Sequence, residues 1–202
     1  MKLHFMKVTP TTAFVPREAA DSIPFSSDKL PEILERFSVK PGSVEASAMN
    51  QTLKACEDPA AAGERRYCAT SLESMVDFAT ASLGTRDVQV ASTEAGAGAT
   101  AEQVYTVAAD AERLAAGKKV ACHARPYAYA VFYCHVARSS RAYVVPLVGE
   151  NGAKVGGVAI CHADTSGWNP RHVAFKLLKV KPGTVSICHF LPQDHVVWAP
   201  RG

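Results

Sequence analysis

Apolar positions along this chain recur with two different periods, and the change between them divides the sequence. In the first part the spacing is helical. Leu30, Ile33, Leu34 and Phe37 fall on one face of a helix that Ser27 can cap, and Pro31 is tolerated there because first-turn amides lack helical partners. Lys40-Pro41-Gly42 breaks that helix. A second helix is expected from Ser43, with Met49, Thr52, Leu53 and Cys56 along one stripe. A third follows Thr70-Ser71-Leu72-Glu73, which reads as a capping box. Leu72, Met75, Val76, Ala79 and Leu83 form its apolar face, and Gly84 ends it.

Between Glu94 and Ala101 the sequence reduces to small and polar residues, so 94–103 is expected to be a flexible connection between a mainly helical part, 1–93, and a β-rich part, 104–202. Beyond it the period becomes two. Tyr127, Tyr129, Val131, Tyr133 and His135 alternate with Ala128, Ala130, Phe132, Cys134 and Val136, which predicts a strand. A hairpin is expected from Arg141–Val148 and Lys154–His162 around Glu150-Asn151-Gly152, with further strands at Thr184–Phe190 and His195–Trp198. The fold class is therefore α+β in one domain, N-terminal helices followed by a mainly antiparallel sheet.

Composition narrows the function classes. The 202 residues are 48% hydrophobic and 20% charged, enough for one substantial core. No apolar run approaches the ~18 residues of a membrane helix. The net charge of +3 comes from scattered basic residues, so no nucleic-acid face is expected. No GxSxG elbow appears, which leaves a serine hydrolase without its motif.

The six cysteines, Cys56, Cys68, Cys122, Cys134, Cys161 and Cys188, are even in number and none lies in a CxxC pair, which favours disulfides over a zinc knuckle. Cys56 and Cys68 flank one loop, and a bond between them would contribute on the order of 3 kcal/mol. For the other four, three pairings exist. Disulfides imply an oxidising compartment, yet Met1–Met6 is too short for a secretory apolar region, so either a signal peptide is missing from this sequence, which is the expectation, or the thiols stay reduced. The Asn50-Gln51-Thr52 sequon agrees with secretion.

Four dipeptides share one order: Cys122-His123, Cys134-His135, Cys161-His162 and Cys188-His189, separated by 10, 25 and 25 residues. In an extended segment neighbouring side chains point to opposite faces, so each cysteine is expected to face away from its histidine. Cysteines on one side can cross-link strands, while neutral imidazoles on the other can converge on a metal.

With these pairs in place the sequence closely resembles the BURP family. Phe14-Val15-Pro16-Arg17, Ile23-Pro24-Phe25-Ser26, Cys68 through Met75, Asp164-Thr165-Ser166-Gly167-Trp168 and Lys181-Pro182-Gly183-Thr184 extend the likeness over nearly the whole chain. The resemblance implies a single BURP domain with a disulfide-stapled sheet, in a secreted plant protein of the apoplast or cell wall. It implies Cu(II), one or two ions, on His123, His135, His162 and His189, with His172 and His195 as supplementary ligands. Imidazole alone also suits zinc, although thiolate sites would need reduced cysteines.

Two functions follow from the resemblance. One is an extracellular structural, developmental or stress-associated role, with a cell-wall polymer as partner. The other is a copper-dependent peptide cyclase that crosslinks Tyr or Trp in a core peptide of its own precursor. Within this sequence Tyr127, Tyr129, Tyr133, Trp168 and Trp198 read as packing residues, so no core peptide is expected here.

Overall fold

The computed structural model describes residues 2–7, 12–60, 65–99, 101–137 and 140–201. Strand β1 (Lys2–Leu3) precedes helices α1 (Arg17–Asp21), α2 (Leu30–Arg36) and α3 (Val44–Glu57). Strand β2 (Arg66–Ala69), helix α4 (Leu72–Leu83) and strands β3 (Val88–Ser92) and β4 (Glu94–Ala95) complete the first part. Then come β5 (Gln103–Val107), β6 (Glu112–Arg113), β7 (Lys119–Arg125), β8 (Val131–Ala137), β9 (Ser140–Gly149) and β10 (Lys154–His162). Helix α5 (Val173–Leu178), β11 (Ile187–Phe190) and β12 (Val196–Pro200) close the chain.

The helices obey local rules. Ser43 Oγ accepts from the Ala46 amide at the start of α3, which buries Met49, Thr52 and Leu53 as the stripe requires. A 3-10 turn at Ser27–Lys29 leads into α2, where Pro31 sits in the first turn. The capping box of α4 uses Ser71 and Ser74 rather than Thr70 and Glu73: each serine oxygen accepts the other's amide, at 3.1 and 3.2 Å. Glu73 instead accepts the Arg17 amide of the neighbouring helix. Gly84 ends α4 at φ 76°, a left-handed position that favours glycine.

The β structure is two antiparallel sheets, not one. The order β2-β8-β7-β12-β3 forms a five-stranded sheet, and β1-β5-β9-β10-β11, with β4 on β10 and β6 on β9, forms a seven-stranded one. Strands β2 and β3 come from the helical part, so helices and strands are less segregated along the chain than their periods suggest. The segment 94–103 is not a loose tether where it is described. Beta4 pairs with β10, the Gly96 amide donates to the Lys154 carbonyl, and Ala99 is fully buried. Small residues are what this tight packing against a strand requires.

The expected strand over 127–136 begins only at Val131. Tyr127 and Tyr129 leave the sheet to pack with Ile23, Ile33, Leu34, Met49 and Leu53, filling the core that α2 and α3 share. The Asn50-Gln51-Thr52 sequon is not in a surface loop. It lies inside α3, where the buried Thr52 hydroxyl donates to the Pro126 carbonyl at 2.8 Å.

The sheets face one another through Ala121 of β7, Val197 and Ala199 of β12, Ala142 of β9, and Val158 and Ile160 of β10. Helix α4 covers the other face of the five-stranded sheet, where Met75 and Ala79 pack on Cys122, Cys134 and Val136. Phe5 of the N-terminal segment packs with Tyr105, Leu147 and Val155 of the seven-stranded sheet. Side chains two residues apart share a face, so the interlayer core sets the direction of every residue that continues it.

Candidate metal centre

All six cysteines are bridged. Cys56–Cys68 ties the end of α3 to β2, Cys122–Cys134 joins β7 to β8, and Cys161–Cys188 joins β10 to β11. The last two connect residues directly opposite in the strand register. Of the three pairings open from sequence, this one needs only neighbouring strands.

The histidines follow from that register. His123 and His135 lie on the same face of the five-stranded sheet as Ala121, and His162 and His189 lie on the same face of the other sheet as Ile160. Ala121 and Ile160 belong to the interlayer core. Both histidine pairs therefore sit at the end of the space between the sheets, where the apolar filling gives way to imidazole. His195 joins them two residues before Val197. Each cysteine faces away from its histidine, as alternation requires.

The nitrogens approach in pairs. His123 Nε2 is 3.1 Å from His135 Nε2, and His123 Nδ1 is 2.9 Å from His195 Nδ1. On the other sheet His162 Nε2 is 3.4 Å from His189 Nε2. The His189 Nδ1 donates to the Phe190 carbonyl at 3.3 Å, so in the neutral ring Nε2 carries the lone pair that faces His162. Ser140 Oγ lies 3.0 Å from His162 Nδ1, fixing the outer nitrogen of that ring. A lone pair facing a nitrogen calls for a proton or a cation between them.

Burial disfavours the charged form of His123, His162 and His195. It pushes His123 down to about 3, helped by the charges His135, His195 and His189 would carry. It pushes His162 down to about 4, with His189, His135 and His172 adding to the effect. His195 is also lowered by burial, with Asp194 opposing the shift. These mutual influences join histidines of both sheets into one electrostatic group.

Two nitrogens bound at 2.0–2.1 Å to one ion can be no more than about 4.2 Å apart. All three pairs meet that limit, and neutral imidazoles are the form that ligates. Among the described residues, however, no group of three or more His, Cys, Asp or Glu side chains forms a ready-made cage. His123 faces its two partners through different nitrogens, which spreads the three rings along a line.

His172 stands apart. Its Nδ1 accepts the Ala174 amide at 3.2 Å, capping α5, so its lone pair is already engaged. The ring also packs on Trp168, which lies 4.9 Å from His162 and 4.8 Å from His172. Sequence reasoning named Trp168 but not its place beside the centre, and it missed Ser140. The signal for Ser140 was available, because counting back from the Asn151-Gly152 turn pairs residue 140 with residue 162.

The family model described as BURP domain matches residues 1–200. The chain belongs to the BURP family. This BURP domain is 63% identical over 206 residues to BURP domain-containing protein 3 of Oryza sativa subsp. japonica, covering 100% of the chain and 48% of that relative. It is 53% identical over 188 residues to BURP domain protein RD22 of Arabidopsis thaliana, covering 93% of the chain and 48% of the relative. Against Protein RAFTIN 1B of Triticum aestivum it is 46% identical over 202 residues, covering 98% and 56%. The chain thus spans about half the length of these curated plant relatives. Among the described residues no helix is long and apolar enough to cross a membrane.

Proposed function

We propose that this BURP domain is a copper-binding module of a secreted plant protein with an extracellular role in structure, development or stress. The observation that carries the reading is the pairing of imidazoles at one end of the space between two disulfide-stapled sheets. His162 with His189 would hold one ion, and His123 with His135 or His195 a second. Copper there would supply a redox-active Lewis acid. The protein's own contribution is positional. Each cross-strand disulfide locks the register that brings two histidines together, burial holds the proton off His123 and His162, and Ser140 and the Phe190 carbonyl orient His162 and His189. The bridged cysteines leave no thiolate in the set, and three disulfides support an oxidising compartment outside the cell.

A copper-dependent peptide cyclase is the second reading, favoured by the exposure of His189 at the rim of the centre, where an external peptide has access. A cell-wall polymer is the partner expected of the first reading and a core peptide of the longer precursor that of the second. Electron paramagnetic resonance during Cu(II) titration tests the shared premise. One to two equivalents with nitrogen coordination are expected, without the intense blue band of a copper thiolate. Replacing His123 and His162 together with Ala, which breaks every one of these pairs, should abolish that signal and leave the disulfides intact. An unchanged spectrum would place the ligands elsewhere, and tighter retention of Zn(II) than of Cu(II) would make zinc the resident metal.

A further inference from the structure

Beside the histidines lies a cavity of about 280 Å³ that the metal does not need. Its walls include Phe14, Phe132, Arg125, His195, Lys7 and Asp194, of which only His195 belongs to the centre. Phe14 stacks on Phe132 with centroids 5.5 Å apart and planes 13° from parallel, which gives one flat apolar wall. Lys7 and Asp194 have opposite charges and each is engaged in an interaction of its own. Arg125 differs: its Nε is buried without a hydrogen-bond partner, and no carboxylate pairs with its guanidinium among the described residues. The Nε2 of His195 is likewise buried and unpartnered.

Buried N–H groups left without an acceptor are costly, so native proteins rarely leave them so. A guanidinium fork matches a carboxylate with two parallel bonds. The volume is just below the usual range of about 300–1,000 Å³ for ligand pockets, which suits a group no larger than one aromatic residue. We propose that this cavity binds a carboxylate carried on a compact aromatic or apolar body, with the carboxylate on Arg125 and the body against Phe132 and Val131. Such a group is found at the C-terminal residue of a peptide or in a free arylalkanoic acid.

The test uses the whole metal-free chain, so its outcome is independent of copper. Proton–nitrogen NMR titrations would follow N-acetyl-phenylalanine and 3-phenylpropanoate, each beside its neutral amide. Both acids should bind saturably and shift the Arg125 Nε–H resonance, and the amides should bind about tenfold more weakly or worse. Arg125→Gln should lose a similar factor. Arg125→Lys, which keeps the charge and loses the fork, should fall between, with the remaining spectrum reporting an intact fold. Tighter binding of N-acetyl-phenylalanine would assign the site to peptide C-termini, and the reverse order to free acids. Acids and amides binding equally, wild-type affinity in Arg125→Gln, or no saturable binding of either acid would each overturn the proposal.

Discussion

Ser140 and His162 are partners in the register of β9 and β10, and the serine oxygen lies 3.0 Å from Nδ1 of the imidazole. The serine is buried and held by further interactions, so it is a fixed point against which the ring turns. Ser140→Ala is expected to leave the fold intact and to weaken copper binding about tenfold or more, in line with other outer-shell losses. Competition with a chelator would measure the affinity. Nitrogen-15 shifts of His162 in the metal-free protein should show a mixed tautomer in place of a single one, and an unchanged tautomer with unchanged affinity would remove Ser140 from the centre.

Acid should destabilise the metal-free protein through His123. Its folded pKa is about 3 against an unfolded value near 6.5, so in that window the unfolded chain binds more protons. Stability is then present in full above the unfolded value and is lost as pH falls toward the folded one. Urea midpoints measured across the window should decline with acid. His123→Gln should flatten the decline, and an equally steep slope in the variant would assign the effect to other groups.

The three disulfides differ in access, and their reduction should follow that order. Cys122 and Cys134 are fully buried beneath α4, whereas Cys188 is exposed at the edge strand β11. Thiol reductant should open Cys161–Cys188 first and Cys122–Cys134 last, read by timed alkylation and peptide mapping. Replacing Cys122 and Cys134 together with Ser should cost about 3 kcal/mol by loop closure, because 12 residues separate them. Recovery of free thiols at these positions in protein secreted from plant cells would contradict the staple.

Copper-loaded chain exposed to air is expected to form no crosslink within itself. Oxidative coupling needs the reacting ring held at the metal. Tyr127 and Tyr129 are buried among the helices and Trp198 beneath α4, while Trp168, the indole beside His162, is packed on His172 and Phe175. Intact mass and fragmentation should show no loss of two hydrogens outside the disulfides. Such a loss at Trp168 would promote the cyclase reading.

Local order was written in the sequence. The cap at Ser43, the turn at Asn151-Gly152 and the opposed directions of each Cys-His pair follow from interactions within a few residues, which need no knowledge of the rest of the chain. The cap of α4, by contrast, falls one residue later than the sequence suggested because Glu73 is taken by Arg17. Cysteine parity indicated that the cysteines are bridged but left three pairings open for Cys122, Cys134, Cys161 and Cys188, and family motifs added the six candidate histidines. Tertiary structure decided what those histidines meet. Alternation says that His123 and Ala121 share a face, but not that this face covers the face of β10 carrying Ile160 and His162. It cannot show that Tyr127 and Tyr129 abandon their strand for the helical core, because both environments are apolar. Nor can it distinguish His195, whose Nδ1 reaches His123, from His172, whose Nδ1 caps α5. Those outcomes depend on pairing and layering between distant segments, where the free energy lies in surfaces buried together and not in the residues that carry them.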